Sequence, residues 1–190
     1  MSGGRQDRRT RYTRMVLKES LMGLMEQKNI SKITIKELCQ WADVNRSTFY
    51  TYYRDQYDLL QQIEDELLDE INANLAGFDV NDNDGTFRIL EKIFYFIQEN
   101  SDFCRLLLSE KGDVKFQKRV MELCQSRYIE QWLANRDEID LETVEYLYLY
   151  LVNGGIGVVQ NWLRSGMQKT PREMAELLLQ LVNRGMAAFT

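Results

Sequence analysis

The sequence predicts an all-α protein, a three-helix, helix-turn-helix head followed by a larger helical body. Three observations carry this. Apolar residues recur at spacings of three and four along most of the chain, the period of one helix face. The 190 residues include one proline and eleven glycines, so long stretches hold no helix breaker. Thr34 with Glu37, and Thr170 with Glu173, have the spacing of capping boxes that open helices. With 44% apolar residues, the chain is long enough for a sizeable core.

The first segment opens on the arginine-rich run RQDRRTRYTR, Arg5 to Arg14. Leu17, Leu21, Leu24 and Met25 follow as the apolar stripe of a helix, and Asn29 is a natural stop. In TIKELCQWA, Thr34 and Glu37 cap a short second helix, each side chain meeting the other's backbone N–H. Ile35, Leu38 and Cys39 or Ala42 give that helix a core face. Asp43, Val44 and Asn45 read as a tight turn, because Asp and Asn tolerate unusual backbone angles. Asn45 can cap a third helix, and Asp55 with Asp58 a fourth. A short helix, a tight turn and a second short helix make a helix-turn-helix, whose second helix enters a DNA major groove.

That second helix lies in NRSTFYTYYRD, Asn45 to Asp55, which packs four aromatics and two arginines into a short span. Phe49 and Tyr53, four apart, share a face that with Val44 can seal the helix onto the first two. Arg46, Ser47, Thr48, Tyr50, Thr51 and Tyr52 fall largely on the remaining surface, where they offer donors to phosphates and base edges. Charge agrees. Residues 1–54 hold 11 Lys and Arg against 5 Asp and Glu, a balance of +6, while residues 55–190 hold 13 against 24, a balance of −11. A basic head on an acidic body fits a head that meets a polyanion.

The chain contains no histidine, which excludes a Ser-His-Asp triad, an HExxH zinc helix and a histidine general base. No spacing singles out a carboxylate pair, so no catalytic residue, metal site or cofactor is expected. Cys39, Cys104 and Cys124 are odd in number and widely spaced, and read as small buried apolar side chains. With no secretory segment and no apolar run of about 18 residues, a soluble cytoplasmic protein with no membrane partner is expected.

In the body, Leu59, Leu60, Ile63, Leu67, Leu68 and Ile71 mark a helix from Asp55 to Ala76, expected to join head and body without a flexible hinge. FDVNDNDG, Phe78 to Gly85, reads as an acidic loop, and helices are expected over 86–99, 101–109 and 114–133. In YLYLYLVNGGIGVV, Tyr146 to Val159, the alternation suits a strand and the glycines a phosphate loop. Both faces are apolar, however, and Gln160 stands where a third glycine is needed. A fully buried helix from Leu141 to Arg164 fits better, with Gly154, Gly155 and Gly157 permitting close helix approach or a bend.

The final helix starts at Pro171, behind the Thr170–Glu173 box. Its two apolar stripes, Met174-Leu178-Leu181-Gly185-Ala188 and Ala175-Leu179-Val182-Met186-Phe189, are wide for an outer helix. They suggest a subunit interface through Leu178, Leu181, Val182, Gly185 and Phe189. Phe94, Phe103, Tyr128, Trp132, Tyr146, Tyr150 and Asn153 on the central helices are candidates to line a ligand pocket, with plain core as the alternative for each.

Residues 12–60 resemble the DNA-binding region of the TetR family of bacterial transcriptional regulators. The resemblance is carried by TIKELCQWADVNRSTFYTYYRDQYDLL, with its T-[IV]-x-x-[IL], A-x-V and T-[LF]-Y patterns, and covers about a quarter of the chain. It implies phosphate contacts from Thr34, Tyr50 and Tyr52, and base or phosphate contacts from Arg46, Ser47 and Thr48. Asp43 replaces the family's usual turn glycine, Gln56 a lysine, and Tyr57 an acidic residue. The function implied is a homodimeric repressor of a palindromic double-stranded operator. Residues 1–54 would bind DNA, and residues 55–190 would bind a small-molecule effector that changes the spacing of the heads, and dimerise. The alternatives are a regulator of the same family with no pocket, switched by a partner protein, and a helical enzyme or binding protein.

Overall fold

The computed structural model describes residues 3–76, 82–108, 115–124 and 141–186. Every regular element among them is helical. The backbone divides into two compact units, Met1–Leu67 and Leu68–Thr190.

In the first unit, α1 (Gly3–Gln27), α2 (Ile35–Trp41) and α3 (Arg46–Tyr52) are followed by the start of α4 (Gln56–Asn74). α1 is helical from Gly3, so the arginine-rich run forms the first turns of a helix. Its expected stripe is in place: Leu17, Leu21 and Leu24 are buried and Met25 is half-buried. Asn29 follows as the cap of a short 3-10 turn, Ile30–Lys32, accepting from the Ser31 N–H. Leu38, Phe49, Tyr53 and Leu59 bring the other three helices to this core, each almost wholly removed from water. Burying a side chain of that kind contributes roughly 1.5–3 kcal/mol.

The second helix opens as expected at one bond and differently at the other. The Thr34 hydroxyl accepts from the Glu37 N–H at 3.2 Å. The Glu37 carboxylate does not return the bond; both its oxygens meet the Lys28 ammonium at 2.6 Å. A charge-assisted pair with the end of α1 outcompetes a neutral backbone donor.

In the second unit, α5 (Asn83–Glu99) and α6 (Ser101–Leu107) precede the helical residues 115–124, here α7, then α8 (Leu141–Arg164) and α9 (Pro171–Met186). α5 begins earlier than expected, because Asp82 caps it by accepting from the Gly85 N–H at 2.8 Å. Asp84 adds a favourable carboxylate to its first turn. The start of the expected loop, at Phe78, the end of the helix expected to Ser109 and the segment 125–133 lie outside the described residues. α9 packs against α5 through Met174 and Ala175, and the Arg172 guanidinium lies over the Phe87 ring and 3.8 Å from Glu91. The Thr170–Glu173 box closes in both directions, with bonds of 2.7 and 3.3 Å.

α8 is a helix, but it is not fully buried. Val144, Tyr148, Trp162 and Leu163 face inward, whereas Tyr146, Leu149, Tyr150, Asn153, Gly154 and Gly157 are exposed. Four-residue steps separate Val144 from Tyr148 and Tyr146 from Tyr150, so an apolar run on both faces still divides by helical period. Trp162 rests edge-on against Phe94, with ring centroids 5.3 Å apart, and its indole N–H donates to the Lys169 carbonyl. Gly166 and Met167, both at positive φ, turn the chain toward α9.

Candidate nucleic-acid interface

The turn between α2 and α3 sets the face that α3 presents. Asp43 has φ 51°, the left-handed geometry for which glycine is the usual choice. The Val44 N–H returns to the Cys39 carbonyl at 3.0 Å, closing α2 in a Schellman-type cap. Asn45 then caps α3 by accepting from the Ser47 N–H at 3.1 Å.

Inside the unit, the Phe49 and Tyr53 rings lie tilted against one another with centroids 5.6 Å apart, the core face expected of them. On the outer side, Thr34, Arg46, Ser47, Tyr50 and Thr51 are exposed, while Thr48 and Tyr52 are half-buried. The seven candidates for DNA contact therefore gather around one short helix and the start of another. Their hydroxyls are not equally available. Ser47 donates to Asn45, Thr51 to the Ser47 carbonyl and Tyr52 to the Thr10 hydroxyl. Among the described residues, Arg46 and Tyr50 hold no side-chain hydrogen bond within the chain.

A polar lattice that the sequence did not single out braces this face. Arg14 donates to the Tyr53 hydroxyl at 3.3 Å, to Gln62 at 3.4 Å and to Glu66 at 3.2 Å, and Lys18 pairs with the same Glu66. The bond to Tyr53 raises the Arg14 pKa, while burial pushes the Tyr53 phenol up against the opposing pull of Arg14. Asp55 caps α4 through the Tyr57 and Asp58 N–H groups, both at 2.9 Å. Asp58 reaches back to the Arg54 N–H at 2.9 Å; that bond and the Arg54 guanidinium hold its carboxyl below the usual range. The signal for Arg14 was its position one turn before Leu17 and Lys18 on α1, in a run read only as part of a basic head.

The ligand candidates are not brought together. Phe94 is buried and Phe103 half-buried, but Tyr146, Tyr150 and Asn153 stand on the exposed face of α8, and Tyr128 and Trp132 lie outside the described residues. The inward tyrosine is Tyr148, whose hydroxyl donates to the Met121 carbonyl. Of the interface candidates, Leu181 is exposed, Leu178 and Val182 are half-buried, the Gly185 position lies within α9, and Phe189 is outside the described residues. The cysteines are free, and burial raises the Cys104 thiol to about 12 and that of Cys124 to about 11, as inert apolar side chains require. No described helix is long and apolar enough to cross a membrane.

Residues 84–184, just over half of the chain, match the C-terminal region of TetR-type transcriptional regulators. The chain belongs to the TetR family. The HTH-type transcriptional regulator YxbF of Bacillus subtilis (strain 168) is 22% identical over 177 residues, which is 88% of this chain and 44% of that protein. This TetR-family chain thus spans under half the length of that relative. A TetR transcriptional regulator from Streptococcus agalactiae 2603V shares its fold with a TM-score of 0.65, at 20% identity, covering 93% of this chain and 97% of the other. FadR from Bacillus subtilis, solved with stearoyl-CoA, gives a TM-score of 0.61 at 11% identity, covering 88% and 96%. The family consists of transcriptional regulators rather than enzymes, which removes the helical-enzyme reading.

Proposed function

We propose that this TetR-family regulator binds a palindromic duplex operator through residues 1–54 and dimerises through residues 55–190, acting as a repressor that a small molecule releases. The observation that carries DNA binding is the division of α3. Phe49 is fully buried, while Arg46 and Tyr50, which hold no hydrogen bond within the chain, are exposed on a head with a balance of +6. Thr34, Ser47, Thr48 and Thr51 border them, and a helix of two turns with this outer surface suits a major groove.

Dimerisation is supported by apolar side chains left in water. Tyr146, Leu149 and Tyr150 on α8, and Leu177 and Leu181 on α9, are all exposed, on helices whose buried apolar residues are Val144, Tyr148, Trp162, Leu163, Met174 and Ala175. A second copy laying its own α8 and α9 there would cover them, with Leu178, Val182, Gly185 and Phe189 completing the α9 side. Phe94 and Phe103 then remain as described candidates for a pocket wall, and Tyr146, Tyr150 and Asn153 fit the interface better. The FadR complex with stearoyl-CoA supports a small-molecule effector by analogy of fold. The exposure of three pocket candidates favours, as a second reading, a body switched by a partner protein.

Selection of bound fragments from a genomic pool by the full chain, followed by salt titration of the enriched duplex, tests the reading. Enrichment of a two-fold symmetric site, with affinity falling steeply as salt rises, is the expected result. Failure to enrich any duplex, or binding indifferent to salt, would overturn it.

A further inference from the structure

We infer that Lys28 is a positioning residue for DNA binding: it holds the Glu37 carboxylate away from Thr34, and so leaves both proton donors of Thr34 to a phosphate. This rests on the DNA-binding reading above.

Thr34 is exposed and offers two protons. Its hydroxyl oxygen accepts from the Glu37 N–H at 3.2 Å; an N–H can only donate, so the hydroxyl keeps its own proton. The Thr34 N–H has no acceptor among the described residues. A phosphate oxygen only accepts, and can take either proton.

Glu37 is the group that could spoil this. A carboxylate three residues after a threonine cap has a second place to go, the threonine N–H, where it completes a capping box. Thr170 and Glu173 show that closed form in this same chain. The Glu173 carboxylate accepts the Thr170 N–H at 2.7 Å and the Thr170 hydroxyl at 2.8 Å, so both donors of that threonine are spent. Closed in the same way, Glu37 would consume the protons of Thr34 and set a negative charge against the phosphate.

Lys28 makes the difference between the two boxes. One residue past the end of α1, its ammonium meets both Glu37 oxygens at 2.6 Å. Glu173 has no such ion pair among the described residues. The same T-x-x-E spacing is therefore closed at the start of α9 and open at the start of α2.

The test compares the full-length chain with Lys28→Met, Glu37→Gln and the double variant. Binding is measured to a mixed-sequence duplex and to the duplex enriched by selection, with melting alongside. Amide exchange at Thr34 is followed without DNA. Lys28→Met should bind about two- to tenfold more weakly per head, the scale of one net hydrogen bond. Its Thr34 amide should exchange more slowly, because the carboxylate closes on it. Glu37→Gln should bind at least as tightly as wild type. The double variant should recover most of the Lys28→Met loss, since an amide side chain carries no charge. A loss that Glu37→Gln does not rescue would show Lys28 acting in its own right and overturn the inference. Equal losses in the two single variants would make the pair a mere strut between α1 and α2, and overturn it too. So would wild-type affinity, or an unchanged Thr34 exchange rate, in Lys28→Met. If Lys28→Met melts early, Glu37→Gln is compared with the double variant: equal affinities are expected, and a weaker double variant overturns the inference. A wild-type chain that binds no duplex at low salt overturns the DNA-binding reading and this inference with it, whereas duplex binding indifferent to Lys28 overturns this inference alone.

Discussion

The guanidinium of Arg14 donates to the hydroxyl of Tyr53 at 3.3 Å, tying residues 39 positions apart and joining α1 to the end of α3. Arg14→Met should destabilise the first unit by about 1–3 kcal/mol, since a buried phenol loses a charged donor. Urea denaturation followed by helicity measures this. The phenol also gives a pH signature. Burial raises its folded pKa above the ordinary 10.0, so its contribution is complete below that pH and is lost as pH rises through the folded value. Wild type should weaken above about pH 10, and Tyr53→Phe, which lacks the group, should weaken less.

Phe49 and Tyr50 are adjacent and should separate fold from binding. Phe49→Ala removes a fully buried ring and should cost about 3–5 kcal/mol. Tyr50→Phe removes one exposed hydroxyl, so the melting temperature should hold while DNA binding weakens by about 0.5–3 kcal/mol. A Tyr50→Phe chain with wild-type affinity would take that phenol off the DNA face.

Asp43 stands where the left-handed conformation is required. Asp43→Gly should fold at least as well as wild type. Asp43→Ala should lose about 1 kcal/mol, because a methyl group resists that conformation more than a short polar side chain does. Equal melting of the two variants would mean that the turn relaxes to another geometry.

Assembly can be tested at the exposed leucine of α9. Leu181 is 51% exposed, so Leu181→Glu places a carboxylate in water in a lone chain but inside the proposed interface in a dimer. Sedimentation should show a helical monomer, with operator affinity reduced because two heads are no longer linked. A wild-type chain that is monomeric at micromolar concentration would remove the interface.

The helices were legible wherever caps and apolar period agreed. Thr170 with Glu173 and Asn45 before Arg46 each placed a start, and Leu17 to Leu24 placed a face. Legibility failed where a side chain had two partners to choose between. Glu37 matched a capping box and bound Lys28 instead, a choice set by a helix end brought near only by folding. It failed again in YLYLYL, where every residue is apolar and the pattern cannot say which tyrosine faces inward. Tyr148 is buried because Val144 shares its face, while Tyr146 and Tyr150 are left outside. Arg14, in a run of charges, looked like its solvated neighbours; only the fold puts it beside Tyr53.

Gly154, Gly155 and Gly157 have open space where a side chain would begin, and none of the described residues approaches them closely. Each nonetheless makes α8 less stable by about 0.8–1 kcal/mol relative to alanine, with no packing against the described residues to offset it. Helix order in the middle of α8 should then depend on a neighbouring chain, and folding and pairing would form a single equilibrium governed by concentration. The melting temperature should climb as the protein is made more concentrated. Gly154→Ala should flatten that dependence, stiffening the isolated chain while crowding the pair. In a cell, the number of copies would itself set the fraction of chains able to act, so that a scarce regulator would be silent before any effector reached it.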